Sequence, residues 1–376
     1  MRKVRSCLFL LTAGVALSTS IHAWAVPFKQ TNLVSSNLAA HPAPIGDPDV
    51  KNAWGLSFGP ATPFWVSGNG SGKSLIYSVD PTTQVPTRES LQVTIPGDGS
   101  VTGQVFNSHT ATSFNGNPFL FVSEDGTVSG WRPALGNTAE AIAPASAANV
   151  YKGAAIGSVG GNDYMYAANF RGGTIDVHKG TGGAPSLTGS FSDPTLPSGY
   201  APFNVQNLNG LLYVAYAQQD ADKKDEVAGP GTGFVDKFSL NGEFIGRVAS
   251  GGTLDAPWGM AIAPSSFGTL AGDLLVGNFG DGHINVYDAT TNAFLGQVTD
   301  ASNNPLAVDG LWAISPGNDG SAGSSHLLYF TAGPDSEANG VFGVLTPIPE
   351  PSEYAMMLAG LAVLALLIRR RTLAAS

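Results

Sequence analysis

The stretch that decides the fold runs from Pro257 to Val298 and has the sequence PWGMAIAPSSFGTLAGDLLVGNFGDGHINVYDATTNAFLGQV. Its apolar runs are separated by glycine, proline, asparagine and aspartate, which favour turns. Four short strands within about 45 residues are typical of one blade of a β-propeller. A single blade cannot bury both of its faces, so the rest of the chain must supply further copies. The predicted strands are Gly259 to Ala263, Asp273 to Gly277, His283 to Tyr287 and Ala293 to Val298.

The second strand of this unit occurs six times along the chain, counting the unit itself. The copies start between 45 and 63 residues apart, and each is followed by a glycine-rich turn and another apolar run. The sequence therefore predicts an all-β fold, a six-bladed β-propeller that forms one domain over residues 26–348. The six runs are Phe64 to Ser67, Phe119 to Ser123, Tyr164 to Ala168, Leu211 to Ala217, Leu274 to Gly277 and Leu327 to Thr331.

The two ends of the repeat array complement each other. The last copy lacks a fourth strand, whereas an extra strand, Gln30 to Ser35, precedes the first copy. We predict that this strand completes the last blade, because a closed ring has no exposed sheet edges. The longest interval between copies contains an insertion, Gln218 to Pro230. Its acidic segment, Asp220 to Glu226, is expected to be a solvated loop that protrudes from one face.

Residues 1–25 have the three parts of a secretory signal peptide. Basic residues precede an apolar run from Cys7 to Leu17, and Ala23 and Ala25 occupy the positions that a signal peptidase recognises. We therefore predict export, with cleavage after Ala25. The only cysteine of the chain is Cys7, so the mature protein is expected to have no disulfide and no thiolate metal site.

Residues 349–376 have a second targeting pattern. Pro349, Glu350 and Pro351 precede fifteen uncharged residues, and the cluster Arg369, Arg370 and Arg371 follows. Arginines mark the cytoplasmic side of such a helix, so we expect the inner membrane to hold it with the body outside.

This tail resembles the PEP-CTERM sorting tail. The resemblance implies an exosortase as a processing partner and removal of the helix. It also implies a cell-surface or extracellular destination in bacteria that make exopolysaccharide. A plain C-terminal membrane anchor is the alternative interpretation.

The charge of the body excludes one class of partner. Residues 26–348 contain 12 lysine and arginine residues against 26 aspartate and glutamate residues. Such an acidic surface repels nucleic acid, and the sequence has no basic patch with interleaved aromatic residues. Cations, extracellular polysaccharide and other envelope proteins remain as expected partners.

Polar residues directly follow the predicted second strands. Equivalent positions of all blades face the same end of a propeller, so we expect these residues to form a ring at one mouth of the central channel. Carboxylate and amide oxygens are ligands that Ca²⁺ prefers, which favours a calcium or polar-ligand site. The alternative is that asparagine and aspartate simply suit hairpin turns. The predicted ring contains Asn69, Glu124, Asp125, Asn169, Gln218, Asn278 and Asp335, and Asn204, Asp255 and Asp309 could join it.

The body resembles the NHL-type six-bladed propellers, and more closely a family of exported propellers that often carries PEP-CTERM tails. This resemblance implies the fold and the export, but no reaction. It is carried by Asn52 to Leu56, Pro63 to Ser67, Ala168 to Phe170, Pro202 to Val205, Ala256 to Gly259, Gly277 to Gly282 and Tyr329 to Gly333.

Two functions are compatible with these observations. The first is a non-enzymatic surface protein that binds extracellular polymer or an envelope protein. The second is a Ca²⁺-dependent hydrolase, because six-bladed propellers that act as lactonases hold an ion at the channel mouth. By that likeness the metal ligands would be Glu124, Asn169, Asn204 and Asp309. The sequence has no paired-histidine zinc motif and no G-x-S-x-G elbow, so it indicates no other catalytic residues.

Overall fold

Six sheets, antiparallel apart from one short parallel pair, make up the part of the chain that the computed structural model describes, residues 26–348. The predicted signal peptide, 1–25, and the predicted sorting segment, 349–376, lie outside the described residues. Within 26–348, no helix has both the length and the apolar character needed to cross a bilayer.

The strands follow the predicted repeat closely. In chain order they are β1 Phe28–Ser35, β2 Ile45–Gly46, β3 Ala53–Ser57, β4 Phe64–Gly68, β5 Lys73–Val79, β6 Pro86–Thr94, β7 Val101–Phe106, β8 Phe119–Ser123, β9 Val128–Trp131, β10 Glu140–Ala143, β11 Tyr151–Val159 and β12 Asn162–Asn169. They continue with β13 Thr174–Lys179, β14 Tyr200–Leu208, β15 Leu211–Gln218, β16 Phe234–Ser239, β17 Phe244–Ser250, β18 Pro257–Ile262, β19 Leu274–Asn278, β20 Ile284–Tyr287, β21 Phe294–Gln297, β22 Leu311–Pro316, β23 Leu328–Ala332 and β24 Val341–Pro347. Short 3-10 helices occur at Pro48–Val50, Asn69–Ser71, Phe114–Gly116, Pro133–Leu135 and Ser265–Leu270.

Each sheet is one blade, and consecutive strands of a blade are neighbours. Blades 1 to 5 are β3–β6, β7–β10, β11–β13, β14–β17 and β18–β21. Blade 3 has three strands, because residues 180–199 form no fourth one. That segment is rich in proline and glycine, which weaken strand pairing. The six-bladed, all-β prediction is confirmed.

Blade 6 is closed by the N-terminal strand. Its order is β22-β23-β24-β1-β2, and β1 runs antiparallel to β24 from the Phe28–Pro347 pair to the Ser35–Val341 pair. Next to this ladder, the backbone nitrogen of Ile348 donates to the carbonyl of Pro27 at 2.7 Å. The predicted ring closure is therefore confirmed, and the body begins and ends at the same corner of blade 6.

The six inner strands surround the axis, and they approach one another closely. In four of them the third residue is glycine: Gly55, Gly103, Gly153 and Gly259. A Cβ atom on Gly103 would lie 2.6 Å from the backbone nitrogen of Ala154, and one on Gly259 would lie 2.5 Å from the carbonyl oxygen of Trp312. Real side chains do not tolerate such distances, so glycine permits this tight ring.

Candidate functional site at the two channel mouths

The inner strands give the channel two mouths. We call the end at which these strands begin the first mouth and the end at which they finish the second mouth. The first mouth has a floor of aromatic side chains. Trp54 and Trp312 stack with ring centroids 3.7 Å apart, and Phe279 stacks on the other side of Trp312 at 4.0 Å. Trp258 meets Trp312 edge-on at 5.8 Å, so three blades contribute to one aromatic plug.

Lys152 lies on this floor and is almost fully buried. It is the second residue of β11, and only 1% of its side chain is exposed. Its Nζ donates to Glu124 Oε1 at 2.6 Å and to Asp225 Oδ1 at 3.0 Å, and it lies 5.1 Å from the ring centre of Trp54. A buried ammonium requires such partners, because desolvation of an unpaired charge is very costly.

Four carboxylates surround this one ammonium group. Burial alone lowers the pKa of Lys152, but Glu124, Glu226 and Asp225 raise it by more, so its pKa lies above the ordinary value and the lysine stays charged. Burial raises the pKa of Glu226 to about 7, although Lys152 opposes the shift. Burial also raises the pKa of Glu337. We call these five residues the Lys152 cluster.

Two asparagines connect the carboxylates of the cluster. The Asn52 amide donates to Glu337 Oε1 at 3.1 Å and to Asn69 Oδ1 at 3.3 Å. Asn69 in turn donates to Glu124 Oε2 at 3.3 Å. Asn52 is itself fixed, since its Oδ1 accepts from Trp312 Nε1 at 2.9 Å. The cluster and its two asparagines thus bring together blades 1, 2, 3, 4 and 6.

Most of the acidic segment of the blade 4 insertion is exposed, as expected for a solvated loop, but its end also contacts the first mouth. Gln219 donates to the carbonyl of Phe170, and the backbone nitrogen of Asp220 donates to the carbonyl of Asp225 at 2.8 Å. This arrangement holds Asp225 and Glu226 at Lys152. Part of the loop is still solvated, because the Asp225 side chain remains 57% exposed.

The four predicted metal ligands have different surroundings. Glu124 belongs to the Lys152 cluster. Asn169 is engaged within blade 3, where its Oδ1 accepts from the backbone nitrogens of Val150 at 3.2 Å and Gly172 at 2.9 Å. Asn204 donates to the carbonyl of Trp258 at 2.7 Å. Asp309 is exposed and accepts from the Asp335 backbone nitrogen at 2.9 Å. Among residues 26–348, no three histidine, cysteine, aspartate or glutamate side chains are grouped to hold a metal ion.

The other predicted ring residues that form side-chain hydrogen bonds have their partners outside the Lys152 cluster. Asp125 accepts from the Thr127 backbone nitrogen at 2.8 Å. Asn278 donates to Asp281 Oδ1 at 2.9 Å, and Asp335 pairs with His41 at 2.7 Å. Gln218 is half-buried at the end of β15. Of the predicted ring, only Asn69 and Glu124 join the network around Lys152.

Between the mouths the channel is nearly closed. The axial cavity has a volume of about 10 Å³, and its lining includes Gln104, Asn204, Trp258 and Met260. Such a volume corresponds to about one water-sized sphere. Nothing larger can pass from one mouth to the other, so each mouth is a separate site.

The second mouth is an open basin of about 400 Å³. The ends of five inner strands form it, those of blades 1, 2, 3, 4 and 6. Its lining contains aromatic, aliphatic, hydroxyl and amide side chains and no ionisable one, including Ser57, Phe58, Phe106, Ile156, Gln206 and Ser315. The two mouths therefore differ sharply in charge and access.

Comparison with known proteins assigns a family. No known family profile matches the sequence. However, the uncharacterized protein L690 of Acanthamoeba polyphaga mimivirus is 30% identical over 338 residues, which cover 85% of this chain and 86% of L690. The chain belongs to the L690 family. Uncharacterized protein R648 of the same virus is 29% identical over 349 residues, covering 86% of this chain and 80% of R648.

The fold of this L690-family member also occurs among solved structures. The soluble aldose sugar dehydrogenase from Escherichia coli, in its apo form, superposes with a TM-score of 0.52 over 85% of this chain and 100% of that one. The two sequences are only 13% identical, so the similarity shows the propeller fold alone.

Sequence reasoning did not find Lys152, the central residue of the cluster at the first mouth. One signal was present, since a lysine between Tyr151 and Gly153 interrupts an otherwise apolar inner strand. Lysine is rarely buried without a partner, so a lysine at this position predicts a nearby carboxylate. The sequence alone could not name Asp225, which lies 73 residues further along the chain.

Proposed function

We propose that this member of the L690 family is an exported, surface-displayed propeller that binds extracellular polysaccharide without catalysing a reaction. The observation that carries the proposal is the basin at the second mouth. It is concave, preformed by strand ends and open to solvent, as ligand sites on rigid scaffolds are.

Export and sorting are part of the same proposal. Signal peptidase would recognise Ala23 and Ala25 and cleave after Ala25. The tail from Pro349 to Arg371 would then hold the protein in the inner membrane until an exosortase processes it. The acidic body supports this destination, since a net negative surface keeps an exported protein soluble and away from anionic lipid.

The alternative, a Ca²⁺-dependent hydrolase, has less support from the contacts. Lys152 neutralises Glu124, and the amide oxygen of Asn169 already accepts two backbone hydrogen bonds. Calcium titration distinguishes the two functions. Tight binding to the folded state would raise the melting temperature by mass action, and an unchanged melt is expected for the polysaccharide-binding function.

The proposal is tested with the full chain in two Gram-negative hosts, one with an exosortase and one without. We expect the body to reach the cell surface in the first host and to stay in the inner membrane in the second. The Glu350→Ala variant should stay in the membrane of both hosts. Surface protein should also co-purify with the host's exopolysaccharide. Recovery from the cytoplasm, or release of the surface protein free of polysaccharide, would contradict the proposal.

A further inference from the structure

We propose that the basin at the second mouth binds the end of a neutral saccharide, with Gln206 as the polar anchor and Phe58 and Phe106 as apolar walls. This inference rests on the proposed function, and it names the ligand class and the site for it.

The shape of the basin favours a chain end over the middle of a polymer. Its volume of about 400 Å³ lies within the usual range of small-molecule sites. Its inner end leads only to the axial cavity of about 10 Å³, which is too small for a ligand to enter. A saccharide can therefore insert its terminal unit, while the remainder of the polymer must lead back out to solvent.

The lining favours a neutral ligand. The body has 26 acidic and 12 basic residues, yet none of them lines the basin. A charged ligand would lose hydration there without gaining an ionic partner, which is strongly unfavourable. A neutral sugar pays a smaller desolvation cost, because its hydroxyl groups can replace hydrogen bonds to water with hydrogen bonds to protein hydroxyl and amide groups.

The Gln206 amide is the polar group of the lining that is free to meet a ligand. It is half-buried and has no side-chain hydrogen bond within residues 26–348. Its neighbours differ: the Asn207 amide donates to the Ile156 carbonyl at 2.8 Å, and the Ser315 hydroxyl donates to the Pro316 carbonyl at 3.0 Å. Polar groups at this depth are normally paired, so Gln206 indicates a place for a ligand hydroxyl.

The other residues of the proposed site are fixed by packing or by their position. Phe58 packs edge-on against Phe64 at 5.3 Å, and Phe106 packs against Phe119 at 5.4 Å. Both rings are half-buried, so each keeps a free surface toward the basin. Gln206 lines both the basin and the axial cavity, which places it at the deepest point that a ligand can reach.

Calorimetric titration of the exported protein tests the inference. The probes are glucose, galactose, mannose and N-acetylglucosamine, with glucuronate as the charged counterpart of glucose. We expect at least one neutral sugar to bind and glucuronate to bind at least about tenfold more weakly than glucose. Gln206→Ala should weaken sugar binding by about threefold to tenfold, the usual loss for one hydrogen bond.

Two controls separate binding from folding. Gln206→Ala should leave the melting temperature nearly unchanged, because its amide has no side-chain hydrogen bond within residues 26–348. Glu226→Gln, at the first mouth, should bind sugar as the wild type does. Glucuronate bound as tightly as glucose, or a Gln206→Ala variant with full affinity, would overturn the inference. If no sugar of the panel binds while the protein is still exported and retained on exopolysaccharide, the ligand assignment fails and the proposed function stands.

Discussion

Lys152 determines the charge balance of the first mouth, because it is the only cation among the members of its cluster. Its ammonium group has two direct carboxylate partners, Glu124 and Asp225, and two further carboxylates whose pKa values are raised by burial. At the first mouth, one ammonium group therefore links several blades while it faces an excess of carboxylates.

Replacing Lys152 by methionine should strongly destabilise the protein. The substitution keeps the volume of the side chain but leaves four carboxylates facing one another, and breaking a buried ion pair in this way costs about 3–5 kcal/mol. Urea unfolding at pH 7 measures the loss. Lys224→Met, at an exposed position of the insertion, is the matched control and should change stability by less than about 0.5 kcal/mol. Equal stability of the two variants would show that the cluster is not structurally important.

Glu226 should make the stability depend on pH. Its pKa of about 7 in the folded protein exceeds the ordinary value of 4.5, so the folded state binds more protons than the unfolded state between these limits. The free energy of unfolding should therefore fall as the pH rises from 4.5 to 7 and then level off. Lys152, Asp225 and Glu337 face this carboxylate, and all three remain when Glu226 is replaced by glutamine.

The Glu226→Gln variant isolates this contribution, since Glu337 and Asp236, whose pKa values are also raised by burial, titrate in both proteins. Melting temperatures from pH 5 to 8 should show wild type losing stability relative to Glu226→Gln as the pH rises. Glu243→Gln, at an exposed position, should follow the wild-type curve. If the difference in melting temperature between wild type and Glu226→Gln were constant across this range, the raised pKa would not belong to Glu226.

At the scale of single strands, the inner ring depends on glycine at the third position. Gly103→Ala should cost about 1–3 kcal/mol, because the new Cβ would lie 2.6 Å from the Ala154 nitrogen and 2.8 Å from the Gly153 carbonyl carbon. Gly246→Ala in β17 is the matched control, since nothing lies within 4 Å of its Cβ position. Denaturant unfolding of both variants checks the difference. If Gly103→Ala were as stable as Gly246→Ala, the inner strands would have room to separate.

The strands could be predicted from the sequence, but the site could not. The difference has a physical reason. A strand such as β19 is a local pattern of apolar residues between turn residues, so the repeat placed it within a residue of its observed bounds. The approach of Asp225 to Lys152 depends on how the insertion folds back across the mouth, and no local pattern encodes that path. The basin was missed because its lining is the ordinary end of five strands. Ser57 and Gln206 become neighbours of one cavity only when the ring closes.

At the scale of the whole molecule, stability depends on the contact between the two ends of the body. Deleting β1 should expose the edge of β24 and leave blade 6 incomplete, so we expect a chain that aggregates or unfolds without cooperativity. A synthetic peptide with the sequence of residues 28–35 should restore cooperative unfolding when it is added to the truncated chain. A scrambled peptide of the same composition should not. Differential scanning calorimetry provides the measurement, and a truncated chain that melts like the full body would contradict the role of β1.

The position of the two ends has a mechanical consequence. Phe28 and Pro347 are paired at the open end of the β1–β24 ladder, and the chain leaves the body next to this pair in both directions. A force that pulls the termini apart would load the hydrogen bonds one after another, as in opening a zipper, instead of shearing them all together. Blade 6 should therefore be the first part to yield under tension, while the other five blades stay intact at low force.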